Sequence, residues 1–256
     1  MRFEVDPIDW ARKIRTFRRV HRLVRNWPRF SLARLQNEKR PVLVHLRNGM
    51  RFRVRPWTND FLVLVEILDE KVYTQRDWDL PARPTIVDVG AYIGDFSVLA
   101  KELWPDSRVY AFEPNPANFT LLEENVILNG CTDVRVFRSA VAGQAGVRTL
   151  VGGDSRDMSF LKSGSSGLDV EAVCLQDVIP GNIDLLKMDC EGAEYEILES
   201  MAATGHLSKV RAAALEWHHY PGGEGLSDLL ELLDGFSLQT LEYHDTGDSG
   251  ILYAWR

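Results

Sequence analysis

Carboxylates recur where apolar runs end. Thr85-Ile86-Val87-Asp88-Val89 passes through Gly90 and Gly94 to Asp95, and Val109-Tyr110-Ala111-Phe112 stops on Glu113. Leu185-Leu186-Lys187-Met188 is followed by Asp189 and Glu191, and Ala214-Leu215 by Glu216. An acid about 20 positions beyond a glycine turn is what a fold needs to hold a ribose through its hydroxyls, and Glu113 lies 19 residues after Gly94. Glycine lets the backbone approach a ligand where a Cβ would collide.

Spacing narrows the ligand. Gly90 and Gly94 form G-x-x-x-G, not the G-x-G-x-x-G of a pyrophosphate site. Asp88 and Asp95 would repel a pyrophosphate and suit a cation, such as the amino group or sulfonium of S-adenosylmethionine. The pattern therefore favours S-adenosylmethionine over NAD, with a ligand-free strand-turn-helix as the plain alternative. Asp88, Gly90 and Gly94 are expected at the methionine half, Glu113 at the ribose, and Ser139 and Ala140 at the adenine edge. Tyr92, Asn115 and Asp189 complete the expected cofactor set.

Chemistry on an acceptor points to two other places. Lys187-Met188-Asp189-Cys190-Glu191-Gly192-Ala193-Glu194 sits at a strand-to-helix handover, where open α/β sheets bind ligands. Simple capping of the next helix is the alternative. Glu216-Trp217-His218-His219 ends another strand, and Glu216 and His218 share a strand face. A neutral histidine is a natural general base, so His218 is the first candidate, with Asp189 and Glu216 beside it. The same three could instead hold a divalent metal, and a packing role for His218 or His219 is the plain reading. Asp154, Ser155, Arg156 and Asp157 could reach a hydroxylated acceptor or be a solvated loop. His21, His45, His206 and His244 read as structural or solvated.

These residues need a parallel sheet to gather them. From Pro84 onward strands and helices alternate: strands at 85–89, 108–112, 134–141, 183–188 and 211–217, with helices between them. Asn115-Pro116 opens one helix and Asn129-Gly130 closes it. Residues 143–168 are rich in Gly, Ser and Asp, with short β pieces near 147–151 and 158–161, and read as an insertion or mobile loop outside the core; a strand near 170–174 follows. Strands at 236–242 and 250–255 predict an antiparallel hairpin at one sheet edge. The fold class is thus α/β, a doubly wound, mostly parallel sheet with an antiparallel last strand.

Ahead of this domain, assigned to 81–256, lies an extension over 1–80. Residues 7–40 read as helical, with Trp10, Ile14, Phe17, Val20 or His21, and Val24 at roughly helical spacing among arginines. Residues 42–54 read as a hairpin around Asn48-Gly49, and 58–73 as a helix capped by Thr58 or Asn59.

The net charge of −7 is uneven. Residues 1–40 hold 12 Lys/Arg against 4 Asp/Glu, a surplus of +8, and the remainder carries −15. Such an acidic body excludes a nucleic-acid binder. The basic arm can lie peripherally on anionic membrane, or pack on its own domain or on a second copy in a homo-oligomer. Cys131, Cys174 and Cys190 form no C-x-x-C pair, and no signal peptide or spanning segment is visible, so a cytoplasmic location is expected.

Val87-Asp88-Val89-Gly90-Ala91-Tyr92-Ile93-Gly94, Phe112-Glu113-Pro114-Asn115-Pro116 and Leu186-Lys187-Met188-Asp189-Cys190-Glu191-Gly192-Ala193-Glu194 together resemble the FkbM-like S-adenosylmethionine-dependent methyltransferases. The third segment is the most distinctive, and the resemblance covers about 42–256. It implies a class I, Rossmann-like enzyme that methylates a hydroxyl of a sugar or natural product. The alternatives are N-methylation, or a non-catalytic nucleoside-binding adaptor. N-methylation of a base would need an Asn/Asp-Pro-Pro-aromatic turn after the fourth strand, where this chain has Asp189-Cys190-Glu191.

Overall fold

A computed structural model describes residues 18–152, 160–162, 167–219, 225–242 and 249–256. Its centre is a seven-stranded sheet in the order β12-β13-β11-β10-β3-β4-β5. The strands are β3 (Thr85–Val89), β4 (Arg108–Phe112), β5 (Val134–Phe137), β10 (Leu185–Met188), β11 (Ala212–His218), β12 (Ser237–Glu242) and β13 (Ser249–Trp255). β11, β10, β3, β4 and β5 run parallel, while β13 is antiparallel to both β11 and β12. The expected doubly wound, mostly parallel α/β class is observed. The carboxyl ends of β3, β4, β10 and β11 open on one rim.

Alternation divides the sheet between two cores. Ile86, Leu185 and Ala214 face one layer with Phe96 and Leu99 of α3 (Asp95–Leu103). Val87, Leu186 and Ala213 face the other, against Ile197, Leu198 and Met201 of α6 (Glu194–Ala203). Such strands, covered on both sides, are apolar throughout rather than alternating in polarity.

The extension shares the first core. Phe52, Phe61 and Leu64 are buried with Ile86 and Phe96. Its hairpin, β1 (Val42–His45) and β2 (Arg51–Val54), pairs Val42 with Val54 and His45 with Arg51. The free edge of β2 is satisfied by side chains of α4 (Pro116–Leu128) and its C-cap. Asn125 Oδ1 accepts from Arg53 N at 2.6 Å, and Asn129 Oδ1 from Arg51 N at 2.9 Å. Two asparagines one helical turn apart thus replace a third strand.

Three expectations are corrected. Residues 7–40 are not one helix: among the described residues, 18–23 are helical and α1 spans Trp27–Leu35. Val24 bridges Leu46 between them, and the Asn26 side chain bonds Leu43 O and His45 N, both at 2.8 Å. Trp10, Ile14 and Phe17 lie outside the described residues. The helix expected over 58–73 is α2 (Asp60–Leu68). The chain then turns at Lys71, φ +56°, which carries Val72 and Tyr73 onto the rim of the sheet.

The stretch 143–168 is no plain loop. β5 ends at Phe137, and β6 (Ala140–Val141) starts a second, four-stranded sheet in the order β6-β9-β7-β8. Its other strands are β7 (Gly146–Val151), β8 (Phe160–Lys162) and β9 (Leu168–Val173). Glycine and polar residues obscure the pattern, but Leu150, Val170 and Ala172 make a small core with Ala140 and Ala142. Residues 154–157 lie outside the described residues.

Candidate active site

The turn after β3 is built on backbone geometry. Gly90 has φ +74°, and a Cβ there would sit 1.8 Å from Asp189 O, so the β3 and β10 turns touch only because residue 90 is glycine. Gly90 N and Ala91 N both donate to Phe112 O, which draws the β4 end to the same point. Gly94, φ +84°, is the N-cap of α3 and packs against Leu122, away from the cavity.

Asp88 and Lys187 lie behind this turn, both sealed from solvent. Lys187 Nζ is 3.2 Å from Asp88 Oδ1 and donates to Gly90 O at 2.7 Å. Ser97 Oγ donates to Asp88 Oδ2 at 2.6 Å. Burial alone would lower the Lys187 pKa, but Asp88, Asp189 and Asp95 outweigh it and hold the ammonium charged. Asp88 therefore braces the turn from behind and does not line the cavity.

One cavity runs along the rim. Gly90, Tyr92, Glu113, Asn115, Ala140 and Asp189, all expected at the cofactor, line it, as does Glu216. Ser139 is buried beside Ala140 without lining it. Sequence reasoning missed the contribution of the extension: Arg55, Val63, Ile67 and Tyr73 form a wall. Periodicity carries no signal of that approach, because it is a long-range packing event. Asn118 was more accessible to reasoning, as the third residue of the helix capped by Asn115.

Glu113 accepts three hydrogen bonds. Asn115 N reaches Oε1 at 2.8 Å, Tyr92 N reaches Oε2 at 2.9 Å, and Asn118 Nδ2 reaches Oε1 at 3.3 Å. Burial pushes its pKa up to about 7, although these donors pull the other way. Asp95, at the start of α3, is pushed up to about 7 by burial, which the nearby Lys187 opposes. Its Oδ2 is buried and accepts no hydrogen bond among the described residues.

The acceptor end is acidic. Tyr73 Oη lies 2.7 Å from Glu216 Oε2 and 3.0 Å from Asp189 Oδ2. A phenol has one proton, so it can donate to only one of the two at a time. Burial and the neighbouring Asp189 push the Glu216 pKa up to about 8.

His218 stands among Glu191 at 3.6 Å, Glu194 at 3.6 Å and Glu216 at 3.8 Å. Burial works to lower its pKa, but Glu194, Glu191 and Asp189 prevail and raise it to about 10. It is an imidazolium at neutral pH, which corrects the expectation of a neutral base. Glu194, fully buried, accepts from Cys190 N at 2.9 Å and Gly192 N at 2.8 Å, and so organises the turn after β10. His219 is exposed, and His244 lies outside the described residues.

The Methyltransferase FkbM domain family model matches residues 88–244. The chain belongs to the FkbM methyltransferase family. It is accordingly a methyltransferase with the class I fold of S-adenosylmethionine-dependent enzymes. Methyltransferase sdnD of Sordaria araneosa is 29% identical over 194 residues, covering 59% of this chain and 74% of that protein. The 31-O-demethyl-FK506 methyltransferase FkbM of Streptomyces tacrolimicus is 27% identical over 217 residues, covering 70% and 82%. A crystal structure of M. jannaschii TYW2 in complex with AdoMet matches 85% of this chain and 86% of that one, with 14% identity and a TM-score of 0.48. Among the described residues of this FkbM methyltransferase, no helix is long and apolar enough to cross a membrane.

Proposed function

We propose that this FkbM methyltransferase transfers the methyl group of S-adenosylmethionine to a hydroxyl of a sugar or natural-product small molecule. The observation that carries the reading is the joining of two half-sites in one cavity. Glu113 and the Gly90 turn lie at one end, and Asp189 with Glu216 and Tyr73 at the other.

The residues fit the cofactor. Glu113 would receive the ribose and Ala140 the adenine edge, a reading supported by their lining the same cavity. The buried, unbonded Oδ2 of Asp95 suits the ammonium of the methionine moiety. S-adenosylmethionine, held by these residues, would supply an activated methyl group for transfer to the acceptor oxygen. The cavity walls position the acceptor oxygen, and such positioning supplies much of the rate. Asp189 takes the proton that the hydroxyl loses, and Tyr73 and Glu216 hold its carboxylate in place.

Mass spectrometry of small molecules and glycans from cells with and without the gene tests this reading. A 14 Da gain on a hydroxyl, reproduced with purified protein, is expected. Methylation on nitrogen, or calorimetry showing no binding of S-adenosylhomocysteine, would overturn it.

One observation favours a second reading of the acceptor end. Asp189, Glu216 and His218 offer ligand atoms that all lie within 4.8 Å of one another. A divalent cation held there would bind the acceptor oxygen and ease loss of its proton. Titration calorimetry with Mg2+ or Mn2+ decides it: binding by the parent protein and not by Asp189→Asn is expected, and absence of binding rejects it.

A further inference from the structure

We infer that Arg55 and Asp60, in the extension that precedes the family-matched region, are cofactor-positioning residues. Through Asn118 and Tyr92 they fix the Glu113 carboxylate. The inference rests on the reading that Glu113 receives the ribose.

Five residues close a ring, through their side chains and the Tyr92 backbone N–H. Asp60, with no exposure, accepts from Arg55 N at 2.7 Å and Nε at 3.0 Å on Oδ2, and from Arg55 Nη2 at 2.8 Å on Oδ1. Tyr92 Oη donates to the same Oδ1 at 2.6 Å. Arg55 Nη2 also donates to Asn118 Oδ1 at 2.8 Å. Asn118 Nδ2 and Tyr92 N then close on the two oxygens of Glu113, at 3.3 and 2.9 Å.

Each link dictates the next. A guanidinium only donates, so Arg55 decides which end of the Asn118 amide faces it. The oxygen must point to Arg55, which leaves the NH2 for Glu113. Tyr92 has φ +48°, a left-handed conformation that side chains other than glycine adopt reluctantly. Its ring is held by the hydroxyl bond to Asp60, with the Arg55 guanidinium 5.6 Å above its centre. That conformation aims Tyr92 N at Glu113.

The count of acceptor sites gives the consequence. An ionised carboxylate has about four lone-pair sites. Oε1 of Glu113 uses two and Oε2 uses one. About one site remains, on Oε2, for the ribose. A ligand contact that depends on a single remaining lone pair depends on the donors that orient the rest. Buried polar networks of this kind act as a unit, so removing one member loosens the others.

The test is a double-mutant cycle read by calorimetric binding of S-adenosylhomocysteine. Replacing Arg55 alone would leave Asp60 buried and unpaired, so the paired variant Arg55→Met with Asp60→Leu is used, and Tyr92→Phe as a milder one. In the parent background the paired variant should weaken binding about tenfold, and Tyr92→Phe severalfold. In the Glu113→Ala background neither should weaken it further. Equal losses in both backgrounds would show a general structural role and overturn the inference. So would unchanged affinity in a folded Tyr92→Phe protein. If the parent chain does not bind S-adenosylhomocysteine at all, the cofactor reading fails, and this inference with it.

Discussion

Lys187 Nζ lies 3.2 Å from Asp88 Oδ1 on the adjacent central strand, and neither side chain meets solvent. The pair holds the Gly90 turn from behind, since the same ammonium donates to Val89 O and Gly90 O. Breaking such a pair from one side strands the other charge in the interior, a loss of about 3–5 kcal/mol. Lys187→Met should therefore destabilise strongly in denaturant unfolding. Lys187→Met combined with Asp88→Leu should recover much of the loss. A Lys187→Met protein as stable as the parent would show that the charge is dispensable.

The acceptor end gives a prediction on rate. Asp189→Asn keeps shape but cannot take a proton, so turnover of the identified hydroxyl acceptor should fall by about 10²–10⁴-fold. Affinity for S-adenosylhomocysteine should change far less, because a base acts in the transition state. Tyr73→Phe removes the bridge to Asp189 and Glu216 and should lower kcat less than Asp189→Asn does. Near-parental turnover of Asp189→Asn would move the base elsewhere.

How far the sequence led depended on range. Gly90, Glu113 and Asp189 were legible because strand-turn-helix junctions are local and put such residues on one rim, whereas Asp88, expected at the methionine half, braces the turn from behind. Tyr73 was not: an expected helix over 58–73 hid it, and only the turn at Lys71 brings it to the sheet. His218 was placed correctly on β11, but its charge state depends on Glu191 and Glu194, which arrive from another element. The short strands of the second sheet were legible near 147–151, 158–161 and 170–174, but not their pairing into one sheet with its own small core, because that pairing is long-range and glycine and serine around them look like loop.

The N-terminal arm gives a third prediction. Arg19 pairs with Glu70, Arg22 with Asp69, and Arg29 with Glu38 at 2.8 Å. Surface pairs contribute little, but Val20, Val24, Phe30 and Ala33 beneath them are buried in the main core. Phe30→Ala should cost about 3–5 kcal/mol, while Arg29→Ala should leave stability close to that of the parent. Co-sedimentation with anionic vesicles that is lost on removing residues 1–17 would assign the remaining arm to the membrane. Equal sedimentation of both chains would leave packing as its role.

The last prediction sets stability against binding as pH changes. Burial raises Asp95 from 3.8 and Glu113 from 4.5, each to about 7. With folded values above unfolded ones, the native state binds more protons across that window. The ligand-free protein should therefore lose stability as pH rises from about 4 to 7, with little further change from these two groups above it. Affinity for S-adenosylhomocysteine should run the other way if, as proposed, ionised Asp95 receives the ammonium and ionised Glu113 the ribose. A group titrating near 7 is about one-tenth ionised at pH 6 and nine-tenths at pH 8, so affinity should rise roughly tenfold between them for each group whose ionised form binds, and about a hundredfold with both. Asp95→Asn should bind weakly and flatten that rise. Glu113→Gln should flatten part of the stability slope, since an amide has no proton to lose. Thermal melts and calorimetry at pH 6 and 8 measure both trends, and an affinity that falls with pH in the parent protein would remove both carboxylates from the cofactor site.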